Sequence, residues 1–121
     1  MAEILDEPSL APLFGPGSRA EQALAGIVAG RAVTGQVDRV RVTEEAIYLC
    51  DYKTNRLPPR AGAPPPAAYR RQMAAYAALL RQIHPGLPVR ASLVWTEGPS
   101  VTLLTEEELD AALDELARGS G

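Results

Sequence analysis

Ile47-Tyr48-Leu49-Cys50-Asp51-Tyr52-Lys53-Thr54 is the stretch on which the reading of this chain turns. It is apolar and aromatic as far as Cys50, then carries a carboxylate and an ammonium two positions apart. The composition predicts a β-strand. Strand side chains alternate between faces, so Ile47, Leu49, Asp51 and Lys53 are expected on one face and Tyr48, Cys50 and Tyr52 on the other. An apolar face that turns ionic at one end departs from what a buried strand should show, and such departures concentrate at functional sites.

Working outward, residues 31–42 (RAVTGQVDRVRV) form a second β-rich run, and Thr43-Glu44-Glu45-Ala46 has the length of a hairpin loop. Pairing Val42 with Ile47 sets Asp38 opposite Asp51 and Gln36 opposite Lys53. Opposed residues have Cβ atoms about 4.5–5.5 Å apart, where two carboxylates repel each other. A divalent cation between them reverses that sign, because hard cations such as Mg²⁺ take carboxylate oxygens. An Asp pair with a lysine beside it is the chemistry of metal-assisted phosphodiester hydrolysis.

Three blocks in this order, Gly35-Gln36-Val37-Asp38-Arg39, then Asp51-Tyr52-Lys53-Thr54, then Tyr69-x-x-Gln72-x-x-x-Tyr76, resemble the RecB-type branch of the PD-(D/E)XK nucleases. Within that branch the similarity is greatest to the C-terminal nuclease domain of AddA-type helicase-nuclease subunits of bacterial double-strand-break repair. A lone Asp-x-Lys is a weak signal; the three blocks together are specific, and the similarity runs from about Glu21 to Trp95. It implies an α/β fold of the restriction-endonuclease-like kind, with a curved mixed β-sheet flanked by helices. It also implies Asp38, Asp51 and the backbone carbonyl of Tyr52 as Mg²⁺ ligands, with Mn²⁺ as a substitute. Lys53 would be the catalytic lysine, with Gln72 and Tyr76 as the supporting motif on the following helix. The implied partners are DNA, the helicase domains of a parent chain and a second helicase-nuclease subunit.

One departure accompanies the match. The family usually adds a His or Glu ligand on a helix well upstream of the first Asp. Only 37 residues precede Asp38, they contain no His, and Glu21 opens a strand-like run (EQALAGIVA). The expectation is a C-terminal piece of a longer helicase-nuclease, with the upstream ligand outside it, which leaves independent catalysis by the fragment open.

The net charge of −3 argues against a nucleic-acid partner, but its distribution argues for one. Residues 1–30 carry −3, residues 31–90 carry +6 and residues 91–121 carry −6. The proposed site lies in the basic block, where phosphate is attracted locally. Arg39 and Arg56 flank the motif and are the arginines singled out for phosphate contact. The single Cys forms no internal disulfide, which suits a reducing cytoplasm. No stretch has the roughly 18 apolar residues of a membrane span.

The remaining elements follow from punctuation and periodicity. Residues 1–20, with Pro8, Pro12 and Pro16, read as an extended leader that packs Leu10, Leu13 and Phe14 onto a domain at 21–121. Residues 21–29 read as a first strand, completing a meander with the next two. Residues 57–66 hold five prolines and form a loop, either an inert linker or a flap over nucleic acid. Residues 67–83 are the clearest helix, with Tyr69, Met73, Tyr76, Leu80 and Ile83 as its apolar stripe. Residues 87–95 and 101–104 read as two further strands. Thr105 with Glu108 reads as a capping box opening a last helix whose stripe is Leu109, Leu113 and Leu116. His84 reads as structural and Cys50 as a buried apolar residue. The expectation from all of this is a metal-dependent deoxyribonuclease of exonuclease type. Two alternatives stand beside it: a catalytically incomplete module serving DNA binding or subunit assembly, and a structural domain whose Asp38 joins a surface ion network with Lys53 or Arg39.

Overall fold

The computed structural model describes residues 8–54, 57–60, 63–97 and 100–119. A 3-10 helix, Pro8–Leu13, leads into β1 (Arg19–Val28), β2 (Arg31–Val42) and β3 (Ile47–Lys53). Helix α1 (Ala67–Ile83) then crosses to β4 (Val89–Trp95), followed by β5 (Ser100–Leu104) and α2 (Glu106–Gly119). The strands form one sheet in the order β1-β2-β3-β4-β5. The pairs β1–β2, β2–β3 and β4–β5 are antiparallel, and β3–β4 is parallel. A parallel pair cannot be closed by a hairpin, so α1 serves as its crossover. The result is the mixed α/β fold expected of the sequence.

The β2–β3 hairpin closes through Thr43. Its N–H donates to the Ala46 carbonyl (2.9 Å), and its hydroxyl oxygen accepts from the Ala46 N–H (3.1 Å). Val42 pairs with Ile47 as the loop length predicts, and the ladder runs to Arg39 opposite Cys50.

One face of the sheet meets α1, which is itself covered by α2. Val37, Ile47, Leu49, Met73, Leu93, Trp95 and Leu109 form the centre of this core. Burying each such side chain stabilises the fold by about 1.5–3 kcal/mol. Because α1 lies between sheet and α2, Ala74, Ala75 and Ala77 are buried along with Met73, Tyr76, Leu79 and Leu80. Ile83, assigned to the stripe by spacing, is 59% exposed at the helix end. The opposite face packs Cys50 and Val94 against Leu13, so residues preceding β1 cover it. Residues 8–18 thus form a short helix and a packed turn, where an extended leader was expected over 1–20, of which 1–7 lie outside the described residues; β1 begins at Arg19, two residues ahead of the expected start.

Thr105 and Glu108 form the expected capping box: the Glu108 N–H donates to Thr105 Oγ1 (3.1 Å), and the Thr105 N–H donates to Glu108 Oε1 (3.0 Å). Among the described residues, no helix is long and apolar enough to cross a membrane.

A break in alternation positions the site. On β2, Val37 and Val40 are both buried in the α1-side core, three residues apart instead of two. Asp38 and Arg39 lie between them, and the β1 residue beside Asp38, Glu21, has a positive φ of 51°. The register is the same on either side of Glu21 and Asp38, so no residue is inserted there; these two drop out of the ladder, and the local distortion re-aims Asp38.

Candidate active site

β3 keeps strict alternation. Ile47 and Leu49 enter the α1-side core, and Asp51 and Lys53 follow them on that face with only 9% of each exposed. The site is therefore the end of a core strand. Desolvating a carboxylate and an ammonium there is costly unless they are paired and hydrogen-bonded. Lys53 Nζ donates to Asp51 Oδ2 at 2.5 Å and to Gln72 Oε1 at 3.2 Å. It also sits 3.9 Å from the centroid of the Tyr69 ring. Gln72 Nε2 in turn lies 3.3 Å from the Tyr76 hydroxyl. Tyr69, Gln72 and Tyr76 recur at helical spacing, so one face of α1 presents all three to the end of β3.

Asp38 arrives from β2. Beyond the last β2–β3 pair its Oδ2 accepts the Tyr52 N–H at 2.6 Å, so a side chain continues the sheet where backbone pairing stops. This anchors the Asp38 carboxylate beside the Asp51-Tyr52-Lys53 backbone.

The electrostatics follow from that crowding. Burial first, and then the Asp38 carboxyl, push the Asp51 pKa up to about 6 against the opposing pull of Lys53. On the other face, burial pushes the Cys50 thiol up to about 12 and also raises the Tyr52 phenol, which Arg39 pulls back.

Asp38 and Asp51 each commit Oδ2 to the protein, to the Tyr52 N–H and the Lys53 ammonium. Asp51 resists ionisation with Asp38 beside it. An all-oxygen donor set in which like charges crowd one another suits a hard divalent cation. The Asp38 and Asp51 carboxylates would suit such an ion. Among the described residues no group of three or more Asp, Glu, His or Cys side chains is placed to hold a metal. The protein would thus supply two carboxylates, in keeping with an ion such as Mg²⁺ that retains several waters. Glu21, exposed on β1, does not join them.

The structure brings Asp38, Asp51, Tyr52, Lys53, Gln72 and Tyr76 together. It does not bring Arg39. The Arg39 guanidinium lies over the Phe14 ring (5.0 Å to the centroid) and donates to Ser18 Oγ (2.8 Å), among the residues that precede and begin β1. Period-two alternation from Asp38 accounts for this. Arg56 lies outside the described residues. Three contributors were not assigned a role in the site by sequence reasoning. Gly35 faces the Tyr76 ring so closely that a Cβ there would overlap it, Trp95 packs on Tyr69 (5.9 Å between centroids), and Tyr69 covers the lysine. The paired glycine and tyrosine motifs carried a signal for the first; nothing in the sequence pointed to Trp95.

Residues 9–119 match the family model described as the PD-(D/E)XK nuclease superfamily. Among solved structures, the chain is similar to one from Eubacterium rectale whose name carries a provisional exonuclease assignment. The identity is 16% and the TM-score 0.62, over 97% of this chain and 47% of that one. A second, SSO0001, is 17% identical with a TM-score of 0.47, over 84% of this chain and 48% of that one. The chain thus spans about half the length of the solved structures it matches. At 16% identity the likeness to the first of these is one of fold. No curated protein matches the chain. With the family model spanning almost every described residue, from the packed segment ahead of β1 to the end of α2, the chain belongs to the PD-(D/E)XK nuclease superfamily.

Proposed function

We propose that this chain hydrolyses DNA phosphodiester bonds with Mg²⁺ as cofactor, Mn²⁺ serving in its place. In this reading Asp38, Asp51 and the Tyr52 carbonyl hold the ion. The observation that carries it is the convergence of Asp38, Asp51 and Lys53 at one buried strand end, with Lys53 bound by both Asp51 and Gln72.

The chemistry a bound Mg²⁺ supplies there is charge neutralisation at the scissile phosphate and a lowered pKa for the attacking water. Lys53 presents its ammonium beside Asp51, where it orients that water or meets the negative charge developing on phosphate. Gln72 keeps the ammonium in place, and Tyr76 keeps Gln72 in place. The buried surroundings strengthen these interactions relative to bulk water.

The wider assignment follows the resemblance. The chain acts at DNA ends as the nuclease domain of an AddA-type helicase-nuclease, working in the cytoplasm with helicase domains and a second subunit. The similar solved structure from Eubacterium rectale, about twice as long as this chain, is compatible with a larger parent.

A second reading is favoured by one observation, the two-carboxylate site. On that reading the chain is a catalytically incomplete module for DNA binding or assembly. Cleavage of linear single-stranded DNA with Mg²⁺ or Mn²⁺, compared with Asp51→Ala and Lys53→Ala, separates the two. Loss of cleavage in both variants is the result expected of the nuclease. DNA binding without cleavage by the unsubstituted chain supports the module, and cleavage indifferent to both substitutions overturns the site.

A further inference from the structure

The Lys53 ammonium has three N–H bonds, and three acceptors surround it. Two are oxygens, Asp51 Oδ2 at 2.5 Å and Gln72 Oε1 at 3.2 Å. The third is the face of the Tyr69 ring, 3.9 Å from Nζ to the centroid. The negative face of an aromatic ring attracts a cation, and most strongly where water is excluded. Lys53 is 9% exposed, so the contact is largely desolvated.

The Tyr69 ring is itself braced. It packs on Trp95 at 5.9 Å with an interplanar angle of 51°. Trp95 is the register partner of Lys53 on the neighbouring parallel strand and is 1% exposed. Its indole N–H donates to Thr102 Oγ1 at 2.8 Å, which ties the ring to β5. Trp95 thus holds Tyr69 from one side while Lys53 presses on it from another. Tyr69 and Gln72 are three residues apart on α1, so a single helix turn carries both contacts to the lysine.

We infer that Tyr69 is a positioning residue for the lysine of the nuclease site. Its ring takes the third ammonium N–H direction and confines Nζ to the arc between Asp51 and Gln72. This rests on the nuclease reading above and extends it. The ring matters because Asp51 has a competing task. Once its carboxylate holds a cation, its grip on Lys53 weakens, and Gln72 alone, a neutral acceptor at 3.2 Å, leaves a four-carbon side chain free to swing. The Tyr69 face keeps the ammonium aimed without offering a negative charge that would neutralise it.

The test compares Tyr69→Leu with Tyr69→Phe. Leucine keeps apolar volume against Trp95 and removes the π face; phenylalanine keeps the face and removes the hydroxyl. The expected result is a fall in kcat of roughly 3- to 30-fold for Tyr69→Leu, the range to which a partly desolvated cation–π energy converts. KM for DNA stays unchanged, and Tyr69→Phe returns kcat to near that of the unsubstituted chain. A readout independent of turnover is the Lys53 ε-methylene proton resonance. It should be shifted upfield by the ring in the unsubstituted chain and in Tyr69→Phe, and return toward the ordinary lysine position in Tyr69→Leu. Full kcat in Tyr69→Leu, failure of Tyr69→Phe to restore it, or no upfield shift in the unsubstituted chain overturns the assignment. Lys53→Ala distinguishes the two levels. If it cleaves normally, or if the unsubstituted chain cleaves nothing, the nuclease reading fails and this inference with it. If Lys53→Ala is inactive while Tyr69→Leu is not, only the role of Tyr69 fails.

Discussion

Gly35 on β2 lies against the Tyr76 ring on α1, and a Cβ at Gly35 would overlap the hydroxyl and the adjoining ring carbons. The absent side chain is what lets the Tyr76 hydroxyl reach Gln72, and Gln72 is what holds Lys53. A backbone position on one strand thereby sets the position of an ammonium on the next. Gly35→Ala should force the ring away and cost about 1–3 kcal/mol of stability through overpacking. Cleavage should fall by about tenfold or more at temperatures where the variant remains folded, since small misplacements in a site are costly. Thermal unfolding and a cleavage assay on the same preparation check both parts. Full activity in a destabilised Gly35→Ala would sever the link from Gly35 to Lys53.

The raised Asp51 pKa fixes the sign of a pH effect. Its carboxyl titrates near 6 in the fold against an ordinary 3.8, so between those values the folded state binds more protons than the unfolded chain. Stability from this group is present below about pH 3.8 and lost as pH rises through about 6. Asp51→Asn, which cannot ionise, should remove that loss, so that between about pH 4 and pH 7 the metal-free melting temperature of the parent falls relative to that of the variant, while cleavage is abolished. Melting curves of both across pH check this; a difference between them that does not change over that range would contradict the sign.

Catalysis should respond in the opposite direction. Ionised Asp51 is the form that takes a cation, so cleavage at limiting Mg²⁺ should fall as pH drops through about 6. Added Mg²⁺ competes with the proton and should move that midpoint downward. Rate profiles at two Mg²⁺ concentrations measure it, and a midpoint indifferent to the ion would separate Asp51 from the metal.

Arg39 should behave as an anchor. Its guanidinium holds Ser18 Oγ and lies over Phe14, on the segment that covers Cys50 and Val94. Arg39→Ala should lower stability by about 1–3 kcal/mol, the range for losing a hydrogen bond to a charged group, and hasten proteolysis before β1. DNA affinity and its salt dependence should stay as they were. A salt slope reduced by about one unit would instead assign Arg39 to phosphate contact.

Cys50 should be inert. It is 1% exposed and burial pushes its thiol to about 12, which leaves almost no thiolate at neutral pH. A disulfide reagent such as DTNB should titrate no thiol in the native chain and one per chain after denaturation. Prompt native labelling would show that the segment covering Cys50 opens readily.

Much of this molecule was legible along the chain because the relevant forces are local. Alternation in residues 47–53, the four-residue loop and the alanine-rich run from Ala67 each follow from the periodicity of one element. Together they set the β2–β3 register and the bounds of α1. The capping box at Thr105 is equally local. From these, the sequence by itself determined that Asp38, Asp51 and Lys53 would stand close on neighbouring strands and that a helix with Gln72 would follow.

Tertiary structure decided the rest. Whether Arg39 faces phosphate or the segment before β1 depends on what covers each side of the sheet. Periodicity says which residues share a face, not which side is solvent. The unpaired Glu21 and Asp38 face each other across two strands, so neither strand alone announces the distortion there. The surroundings of Lys53 join Asp51, Gln72 and Tyr69, with Trp95 behind, drawn from three elements. Only packing α1 across the sheet closes those contacts, because long-range proximity is set by the summed burial of the core and not by any spacing along the chain.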